Sequence, residues 1–433
     1  MIVKIHNIGI ILDSKIICDG VTLITGKNGS GKTTFGKAFV SLFSGINNAP
    51  KTYAEGFIKY ARETIAEALG LRRNSVGHYY FGSYPRIRLR SLYYLLNSSK
   101  YDIDSFLSLL NPALEELSND KSAFEELLFN NIKIDRSSVI TDDEYAFVVR
   151  RFRETIEKIK MSLEDSTFLD TYISQSVKDQ LDNSFFGQVK NIDNKKDKTY
   201  IEIENDGVEV RFDYDEIKLS YLEPLKNIRA FYIDDSGLID KLYDYTPTNR
   251  RNLLDYFLIS DLKKPINRVN KLRVQDELRD IFEIINRVYP YDFLEERKTL
   301  STNNFGIKIK NEAYGRKIFA IIKEMLYRNL ITRDSILVFD EPDNHLHPEW
   351  QIEFIKLVTK INQRIGAKIV CITHSSTLLL ASQVYCKKNT PLNVYYCDAD
   401  NNRPFMDVSD DIQKAHKELA DPYILLDLFG DKN

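Results

Sequence analysis

Apolar and polar positions at the start of the chain follow the pattern of a buried strand that leads into a helix. Residues Met1 to Ile17 are rich in isoleucine and valine, and the apolar run from Val21 to Thr25 stops at a glycine, which is typical of a strand before a turn. From Lys32 to Phe43, phenylalanine and leucine recur at helical spacing. We expect a helix there that ends before a loop from Gly45 to Pro50.

Beyond this point the pattern is mainly helical. One apolar stripe has the spacing of a helix face that packs on a partner helix, and it consists of Val148, Phe152, Ile156, Ile159 and Leu163. The segments Tyr200 to Glu204 and Val208 to Asp213 instead alternate apolar and polar residues around Asp206-Gly207. Because an Asp-Gly pair supplies the positive φ of a tight turn, these segments predict a β-hairpin.

Strands and helices alternate in the last part of the chain. The apolar runs Ser335 to Phe339 and Lys368 to Thr373 have the length of strands, and helical patterns follow them. Such alternation is typical of a parallel sheet. The sequence therefore predicts an α/β core formed by residues 1–100 and 215–433, interrupted at residues 101–214 by a mainly helical insertion that ends in the hairpin.

Composition places the chain among folded globular proteins. Of its 433 residues 43% are hydrophobic and 28% charged, and the formal net charge of −3 gives no overall field that would attract nucleic acid or a membrane. No apolar run approaches the length of a membrane span, and the N-terminus lacks a signal-peptide pattern. The cysteines lack CxxC spacing, which argues against a zinc site and suits a reducing compartment, so we expect a cytoplasmic protein; they are Cys18, Cys371, Cys386 and Cys397.

The strongest motif is a glycine-rich loop between the first predicted strand and helix. It fits GxxxxGK[ST], in which glycines let backbone N–H groups surround phosphate oxygens, Lys32 neutralises the outer phosphates and Thr33 ligates Mg²⁺. The predicted nucleotide-binding residues here are Gly26, Lys27, Asn28, Gly29, Ser30, Gly31, Lys32, Thr33 and Thr34. We therefore expect ATP and Mg²⁺ as ligands, with Lys32 also acting in catalysis.

Two further elements complement this loop. Asp340 and Glu341 follow an apolar strand, where Asp340 is expected to hold the Mg²⁺ and Glu341 to deprotonate the attacking water. His374 follows the next predicted strand and is expected to reach the γ-phosphate. Each feature taken alone also fits a plain turn or a helix cap. Ligands in open α/β sheets bind at the carboxyl ends of strands, which favours the catalytic interpretation.

These motifs resemble those of a known class of ATPase. Gly26 to Thr33, the DEPxxHLHP stretch from Asp340 to Pro348, and Thr373-His374-Ser375 are similar to the ABC-class ATPase heads of the RecF, SMC and OLD lineage. The DEPxxHLHP stretch resembles in particular the AAA15/AAA21-type ATPases of bacterial anti-phage systems, such as the ATPase subunits of Septu and PARIS. The pattern covers about Met1 to Phe43 and Phe305 to Phe429.

The resemblance implies an ABC-type head in which two protomers enclose two ATP molecules. Each nucleotide would be held by the phosphate loop of one protomer and the signature helix of the other. The matching signature segment is Asn311 to Lys317, where Gly315 is retained as a nucleotide contact and Tyr314 replaces a serine. No glutamine lies between the phosphate loop and Gln175 to serve as the Q-loop residue. These two departures motivate an alternative, a nucleotide-gated scaffold with little hydrolysis.

The resemblance also implies partners. We expect a homo-oligomer, either a dimer of heads or a larger ring, that controls a separately encoded effector nuclease of HNH or Toprim type in anti-phage defence. A nuclease site within this chain is not expected. His345 and His347 fall in the loop behind Glu341, and Asp398 and Asp400 fall in a predicted hairpin turn with too little chain after it for a Toprim domain.

Two arginine clusters leave a third hypothesis open, a RecF-like DNA-repair ATPase that contacts DNA. Arginines beside aromatic residues fit a nucleic-acid surface. Such runs are more often solvated faces or partners in salt bridges. The clusters are Arg86, Arg88 and Arg90, and Arg150, Arg151 and Arg153.

Overall fold

The computed structural model describes residues 1–71, 88–97, 102–132, 140–164, 166–234, 253–263, 266–291, 313–386, 389–398 and 405–419. Five residues named above lie outside these ranges: Arg86, Phe305, Asn311, Asp400 and Phe429. The chain divides into two compact units. Unit 1 comprises Met1–Asn47 and Ile173–Asn433, and unit 2 comprises Asn48–Tyr172.

A six-stranded sheet forms the centre of unit 1. Its strands lie in the order β11-β10-β3-β9-β8-β7, and all neighbours are parallel except β11, which is antiparallel to β10. Their bounds are β3 Val21–Gly26, β7 Arg229–Ile233, β8 Ser335–Asp340, β9 Lys368–Ile372, β10 Leu392–Cys397 and β11 Phe405–Asp407. Every residue of β3 and β8 is buried, because helices cover both faces of a parallel sheet. The predicted α/β class is confirmed.

A second, antiparallel sheet of unit 1 has the order β2-β1-β4-β5-β6. Its strands are β1 Ile2–Ile8, β2 Ile11–Ile17, β4 Tyr200–Asn205, β5 Val208–Asp213 and β6 Lys218–Leu219. The predicted hairpin is confirmed as β4 and β5, with positive φ at both Asp206 and Gly207. Since β4 pairs with β1, this hairpin belongs to unit 1, whereas the sequence assigned it to the insertion.

The helix after the phosphate loop is longer than expected. Helix α1 runs from Lys32 to Ala68 and includes both Gly45 and Pro50, so the predicted stop before Gly45 is wrong. At Gly45 a Cβ would lie 2.4 Å from the Cα of Val177, which shows that this glycine permits close helix packing within unit 1. The continuation of α1 to Ala68 places the boundary between the units at Asn48, well before residue 101.

The other helices of unit 1 pack around the six-stranded sheet. A continuous core joins residues of the sheet to α10, α11, α12 and α13, with Phe339 and Phe354 in edge-to-face contact at its centre. The helices are α7 Ser166–Ser184, which begins in unit 2, α8 Leu253–Lys263, α9 Arg268–Glu277, α10 Arg279–Val288, α11 Tyr314–Tyr327, α12 Pro348–Ile365 and α13 Ser376–Tyr385.

Unit 2 is helical in its described residues. The predicted apolar stripe on α6 is buried at Phe152, Ile156 and Ile159, where it joins a core shared with the neighbouring helices. Besides the end of α1, the helices are α2 Arg90–Asn97, α3 Ile103–Ser108, α4 Leu110–Asn119, α5 Lys121–Ile132 and α6 Asp142–Glu164. Among the residues that the structure describes, no helix is long and apolar enough to cross a membrane.

Candidate nucleotide-binding site

The phosphate loop connects β3 to α1 and depends on glycine conformations. Gly26, Gly29 and Gly31 all have positive φ, at 138°, 74° and 95°. A Cβ on Gly26 would lie only 2.0 Å from the carbonyl oxygen of Cys397 on β10. Glycine is therefore required at position 26 by both backbone conformation and space. The loop surface at Lys27, Asn28 and Gly29 is exposed.

Lys32 lies inside the loop with its ammonium group turned toward loop oxygens. Its Nζ donates to the carbonyl oxygens of Gly26 at 3.1 Å and Lys27 at 2.6 Å, and to Oγ of Ser30 at 3.3 Å. Burial lowers the pKa of Lys32, while the nearby Cys397, Glu341 and Asp340 act in the opposite direction. The side chain of Lys32 is thus a pre-positioned cation in the centre of the loop.

The loop and the end of β8 meet at Asp340. Thr33 Oγ1 donates to Asp340 Oδ1 at 3.3 Å, and the buried Tyr232 hydroxyl donates to Oδ2 at 2.5 Å. Burial raises the pKa of Asp340, and the two hydrogen bonds only partly offset this rise. A hydroxyl and a carboxylate oxygen are the hard donors that Mg²⁺ prefers, so this pair fits the expected metal.

Glu341 and His374 face each other beyond Asp340. His374 Nε2 lies 4.0 Å from Glu341 Oε1, and the amide of Asn344 donates to Glu341 Oε2 at 2.7 Å. The backbone of Glu341 has φ of 50° and its N–H donates to the carbonyl oxygen of Ile372, which anchors this residue to β9. Burial, followed by the charge of Lys32, lowers the pKa of His374. This arrangement can hold a neutral imidazole beside a carboxylate.

A polar network fixes the segment that carries His374. Thr373 Oγ1 donates to Asp343 Oδ1 at 2.5 Å and accepts from the backbone N–H of Ser375 at 2.9 Å. Ser375 in turn donates to Gln351 Oε1 at 2.6 Å and caps α13. Burial raises the pKa of Asp343. The residues on either side of His374 are therefore held in place, Thr373 by the loop after β8 and Ser375 by Gln351 of α12.

The retained signature glycine lies at the start of α11. A Cβ on Gly315 would be 2.6 Å from the carbonyl oxygen of His345, so α11 packs directly on the loop that follows Glu341. Gly315 lines a cavity of about 160 Å³ together with Asp340, Glu341 and Asp234. The side chain of Tyr314 lies outside the described residues.

The structure brings together nearly all the residues that the sequence singled out. The phosphate loop, Asp340, Glu341 and His374 lie at the carboxyl ends of β3, β8 and β9, and Gly315 borders the same acidic pair. Thr34 faces the β1–β2 turn, since a Cβ on Gly9 would lie 2.8 Å from its methyl group. Two site residues, Tyr232 and Asp343, were not among the residues predicted from sequence. The sequence signal for Tyr232 is the short apolar run around it, which is typical of a strand but does not show that this strand pairs with β8.

A phosphate loop follows the buried strand β3, a histidine follows the adjacent strand β9, and two carboxylates lie at the end of β8, the next strand beyond. Together they define a P-loop ATPase of the α/β class. The family model that matches residues 1–379 is described as "AAA ATPase domain" (AAA_15). The chain belongs to this family and is an ATPase, as the sequence predicted.

Two curated proteins are similar to this chain, one over most of its length and one over about a fifth of it. Endonuclease GajA of Bacillus cereus (strain HuB5-5) is 22% identical over 456 aligned positions, which cover 94% of this chain and 60% of GajA. The chain thus spans about 60% of the length of that relative. The methionine import ATP-binding protein MetN of Carboxydothermus hydrogenoformans is 30% identical over 93 residues, which cover 21% of this chain and 28% of MetN.

Among solved structures, the chain is similar to two heads of Smc proteins. One is the Smc head bound to the C-terminal winged-helix domain of ScpA, with a TM-score of 0.38 and 11% identity over 94% of this chain and 97% of that chain. The other is the Smc head with an extended coiled coil bound to ScpA from Pyrococcus furiosus, with a TM-score of 0.28 and 9% identity over 98% of both chains. The fold assignment follows from the strand order and the family match.

Proposed function

We propose that the chain binds ATP with Mg²⁺ at residues 26–34 and hydrolyses it with Glu341 as the general base. The observation that carries this proposal is the contact between Thr33 on α1 and Asp340 on β8, which joins the two halves of a triphosphate site across 307 residues of sequence. Lys32 would exchange its loop oxygens for the outer phosphates. Glu341 and the neutral His374 would orient the attacking water and the γ-phosphate.

Mg²⁺, when bound, would neutralise charge on the phosphate oxygens. In this chain Thr33 Oγ1 and Asp340 Oδ1 are the oxygens that would hold it, directly or through water. Asn344 orients Glu341 by its hydrogen bond to Oε2, which leaves Oε1 directed toward His374. This division gives each carboxylate of the pair a separate role, in metal binding for Asp340 and in proton transfer for Glu341.

The test compares Lys32→Ala and Glu341→Gln with matched controls. Lys32→Ala should weaken ATP binding at least tenfold in a calorimetric titration, whereas Lys59→Ala, which changes an exposed lysine of the same helix, should not. Glu341→Gln should bind ATP normally but lower steady-state phosphate release by about 10²- to 10⁴-fold. Its control is Glu349→Gln, at an exposed carboxylate just beyond the same loop. Unchanged ATP binding in Lys32→Ala would refute the site.

Oligomerisation around nucleotide and control of an effector complete this proposal. The glycine retained at the start of α11, Gly315, lines the cavity beside Asp340 and Glu341, and it supports a dimer in which α11 of one protomer faces the nucleotide of the other. The name of the relative, an endonuclease, supports a nuclease context, and the motif resemblance supports anti-phage defence. Four buried free cysteines support a cytoplasmic setting.

Light scattering tests the oligomer. Glu341→Gln with ATP and Mg²⁺ should double in mass, and Lys32→Ala should stay at the nucleotide-free mass. A dimer of heads and a larger ring are distinguished by the final mass. Mass that is indifferent to ATP in the Glu341→Gln protein would contradict nucleotide-dependent assembly. Examination of the adjacent genes for a small nuclease, followed by a cleavage assay with and without the ATPase, tests control of the effector.

A nucleotide-gated scaffold is the alternative for the same site. Tyr314 at the start of α11, in place of a serine, is the feature that favours it. The two functions differ in turnover. Tight ATP binding with negligible phosphate release, in the presence of partner and DNA, supports the scaffold, whereas release that disappears in Glu341→Gln supports the enzyme.

DNA contact is a second candidate function, and a groove of unit 2 favours it. A groove of about 480 Å³ between α1 and α6 is lined by three basic residues, two carboxylates and the exposed Phe147, with Arg150 over the Phe147 ring at 5.6 Å; the charged residues are Arg150, Arg151, Lys158, Glu67 and Glu154. The other arginine cluster is less suited, since Arg88 pairs with Asp120 at 3.1 Å. Such a groove fits a phosphate backbone with one stacked base.

Fluorescence anisotropy with labelled DNA tests this groove. The double variant Arg150→Glu/Arg151→Glu reverses both charges and should weaken DNA binding. The slope of the logarithm of affinity against the logarithm of salt concentration should become shallower by the amount expected for about two lost phosphate contacts. The control, Arg273→Glu/Arg279→Glu, reverses two exposed arginines of unit 1. Equal binding by both double variants would refute a role of the groove.

A further inference from the structure

The carboxylate of Asp340 is held at both of its oxygens. Tyr232 lies on β7, next to β8, and its ring is almost fully buried at 2% exposure. Its hydroxyl donates to Oδ2 of Asp340 at 2.5 Å, while Thr33 donates to Oδ1 at 3.3 Å. The phenol and the carboxylate are 108 residues apart in sequence, so this contact is a product of the fold.

Rotation of a carboxylate about its last torsion is nearly free unless hydrogen bonds fix it. The bond from Tyr232 holds Oδ2 toward β7 and leaves Oδ1 facing Thr33. A carboxylate fixed in this way presents one oxygen to a metal without first losing rotational freedom.

The ring of Tyr232 is itself fixed by the helix that carries Thr33. Gly36, one turn after Thr33 on α1, lies so close that a Cβ there would be 3.2 Å from Cε2 of Tyr232 and 2.8 Å from Cδ1 of Ile372. The absence of a side chain at position 36 lets α1 rest on the ring. The same ring therefore contacts α1 and bonds to the end of β8, which sets the distance between Thr33 and Asp340.

We propose that Tyr232 is a positioning residue for Mg²⁺: its hydroxyl orients the Asp340 carboxylate so that Oδ1, together with Thr33, binds the ion that accompanies the nucleotide. This inference rests on the proposed ATP site. It predicts that loss of the hydroxyl weakens the contribution of Mg²⁺ to nucleotide binding and leaves the metal-free affinity for nucleotide intact. A hydroxyl with only a packing role would change neither quantity.

Tyr232→Phe tests this inference in the full chain, with a non-hydrolysable ATP analogue. The analogue is titrated in EDTA and then at rising Mg²⁺. The half-saturating Mg²⁺ concentration should increase about 10- to 100-fold, the usual effect of removing a partner of a metal ligand. Affinity in EDTA should stay within twofold of the wild type. The matched control is Tyr395→Phe, which removes another buried phenol oxygen of the same sheet, one that accepts from the Ile17 N–H at 2.9 Å.

A double variant shows whether Tyr232 acts through Asp340. Adding Tyr232→Phe to Asp340→Asn should cause no further change in the Mg²⁺ response, because the carboxylate that Tyr232 orients is gone. A half-saturating Mg²⁺ concentration in Tyr232→Phe within twofold of the wild type would overturn the inference. So would an equal loss of affinity with and without Mg²⁺.

Gly36→Ala is the second variant, for the case that Tyr232→Phe does not fold. It keeps both polar side chains, but the new Cβ would lie 2.8 Å from Cδ1 of Ile372 and 3.2 Å from the Tyr232 ring, so both must shift by a few tenths of an ångström or more; we expect the half-saturating Mg²⁺ concentration to rise at least threefold. An unchanged value there overturns the inference. Failure of the ATP site itself looks different, since the wild type would then bind the analogue no better than Lys32→Ala.

Discussion

Replacement of Gly26 by alanine tests how strictly the end of β3 is packed. The new Cβ would lie 2.0 Å from the Cys397 carbonyl oxygen, whereas ordinary contacts begin at 3.4 Å, so β10 must move by more than about 1 Å. The movement breaks the bond from the Lys27 N–H to that oxygen and a neighbouring ladder bond, each worth about 1 kcal/mol. A φ of 138° adds about 1–3 kcal/mol of backbone strain.

These contributions give a destabilisation of about 3–5 kcal/mol. Unit 1 has about 300 residues, and an unfolding entropy of about 2.1 cal/mol/K per residue converts this loss into a fall in Tm of about 5–8 °C. The matched control is Gly29→Ala in the same loop, where φ is 74° and nothing lies within 4 Å of the new Cβ. That change should cost about 1–2 kcal/mol, or about 2–3 °C.

Differential scanning calorimetry of the nucleotide-free protein measures both shifts. The informative quantity is the difference between the two variants, because both introduce the same methyl group at a glycine of positive φ. If Gly26→Ala lowers Tm no more than Gly29→Ala does, then the contact with β10 does not limit residue 26 and the reasoning fails.

Three further outcomes follow from the packing and the charges. Burial and the charge of Lys32 lower the pKa of His374, so just below pH 6.5 the unfolded chain binds more protons than the folded chain. Stability should therefore fall as the pH drops through that range. In a thermal-unfolding series, His374→Asn should make this fall smaller. Burial raises the pKa of Asp343, so the charged form costs stability at neutral pH; Asp343→Asn should raise Tm at pH 7, and this gain should vanish below about pH 3.8. Gly45→Ala should lower Tm, because its Cβ would meet the backbone of another helix. Gly56→Ala on the same helix should raise Tm, because it should increase the free energy of unfolding by up to about 1 kcal/mol. Three results would contradict these predictions. They are a rise in Tm for Asp343→Asn that does not depend on pH, an unchanged loss of stability at acid pH for His374→Asn, and Tm shifts of the same sign for Gly45→Ala and Gly56→Ala.

Much of the fold follows from local pattern. The strands β3, β8 and β9 are short apolar runs bounded by glycine or polar residues, and the hairpin at Asp206-Gly207 has the turn chemistry that its geometry requires. The length of α1 did not follow, because Gly45 looks like a helix stop in sequence and acts as a packing site in the structure. Only the position of Val177, 132 residues later, distinguishes the two meanings.

The candidate site was predictable where one motif encodes both loop shape and chemistry. Lys32 and Thr33 follow from the glycine spacing, and Asp340 follows from its place at the end of an apolar strand. Tyr232 could not be found in this way, since a tyrosine in an apolar run usually belongs to the core. Its role depends on the neighbouring strand, and the pairing of β7 with β8 is a property of the whole sheet.

The placement of β3 between β9 and β10 also constrains how the protein is made. The strand that leads into the phosphate loop leaves the ribosome long before its pairing partner Ile369–Ile372, which follows about 345 residues later. At translation rates of about 5–20 residues per second, β3, whose residues are all buried in the folded protein, stays unpaired in the nascent chain for about 20–70 seconds. An unpaired strand edge is exposed to chaperones and to self-association during such an interval. A growing polypeptide can gain ATPase activity only after β9 has emerged.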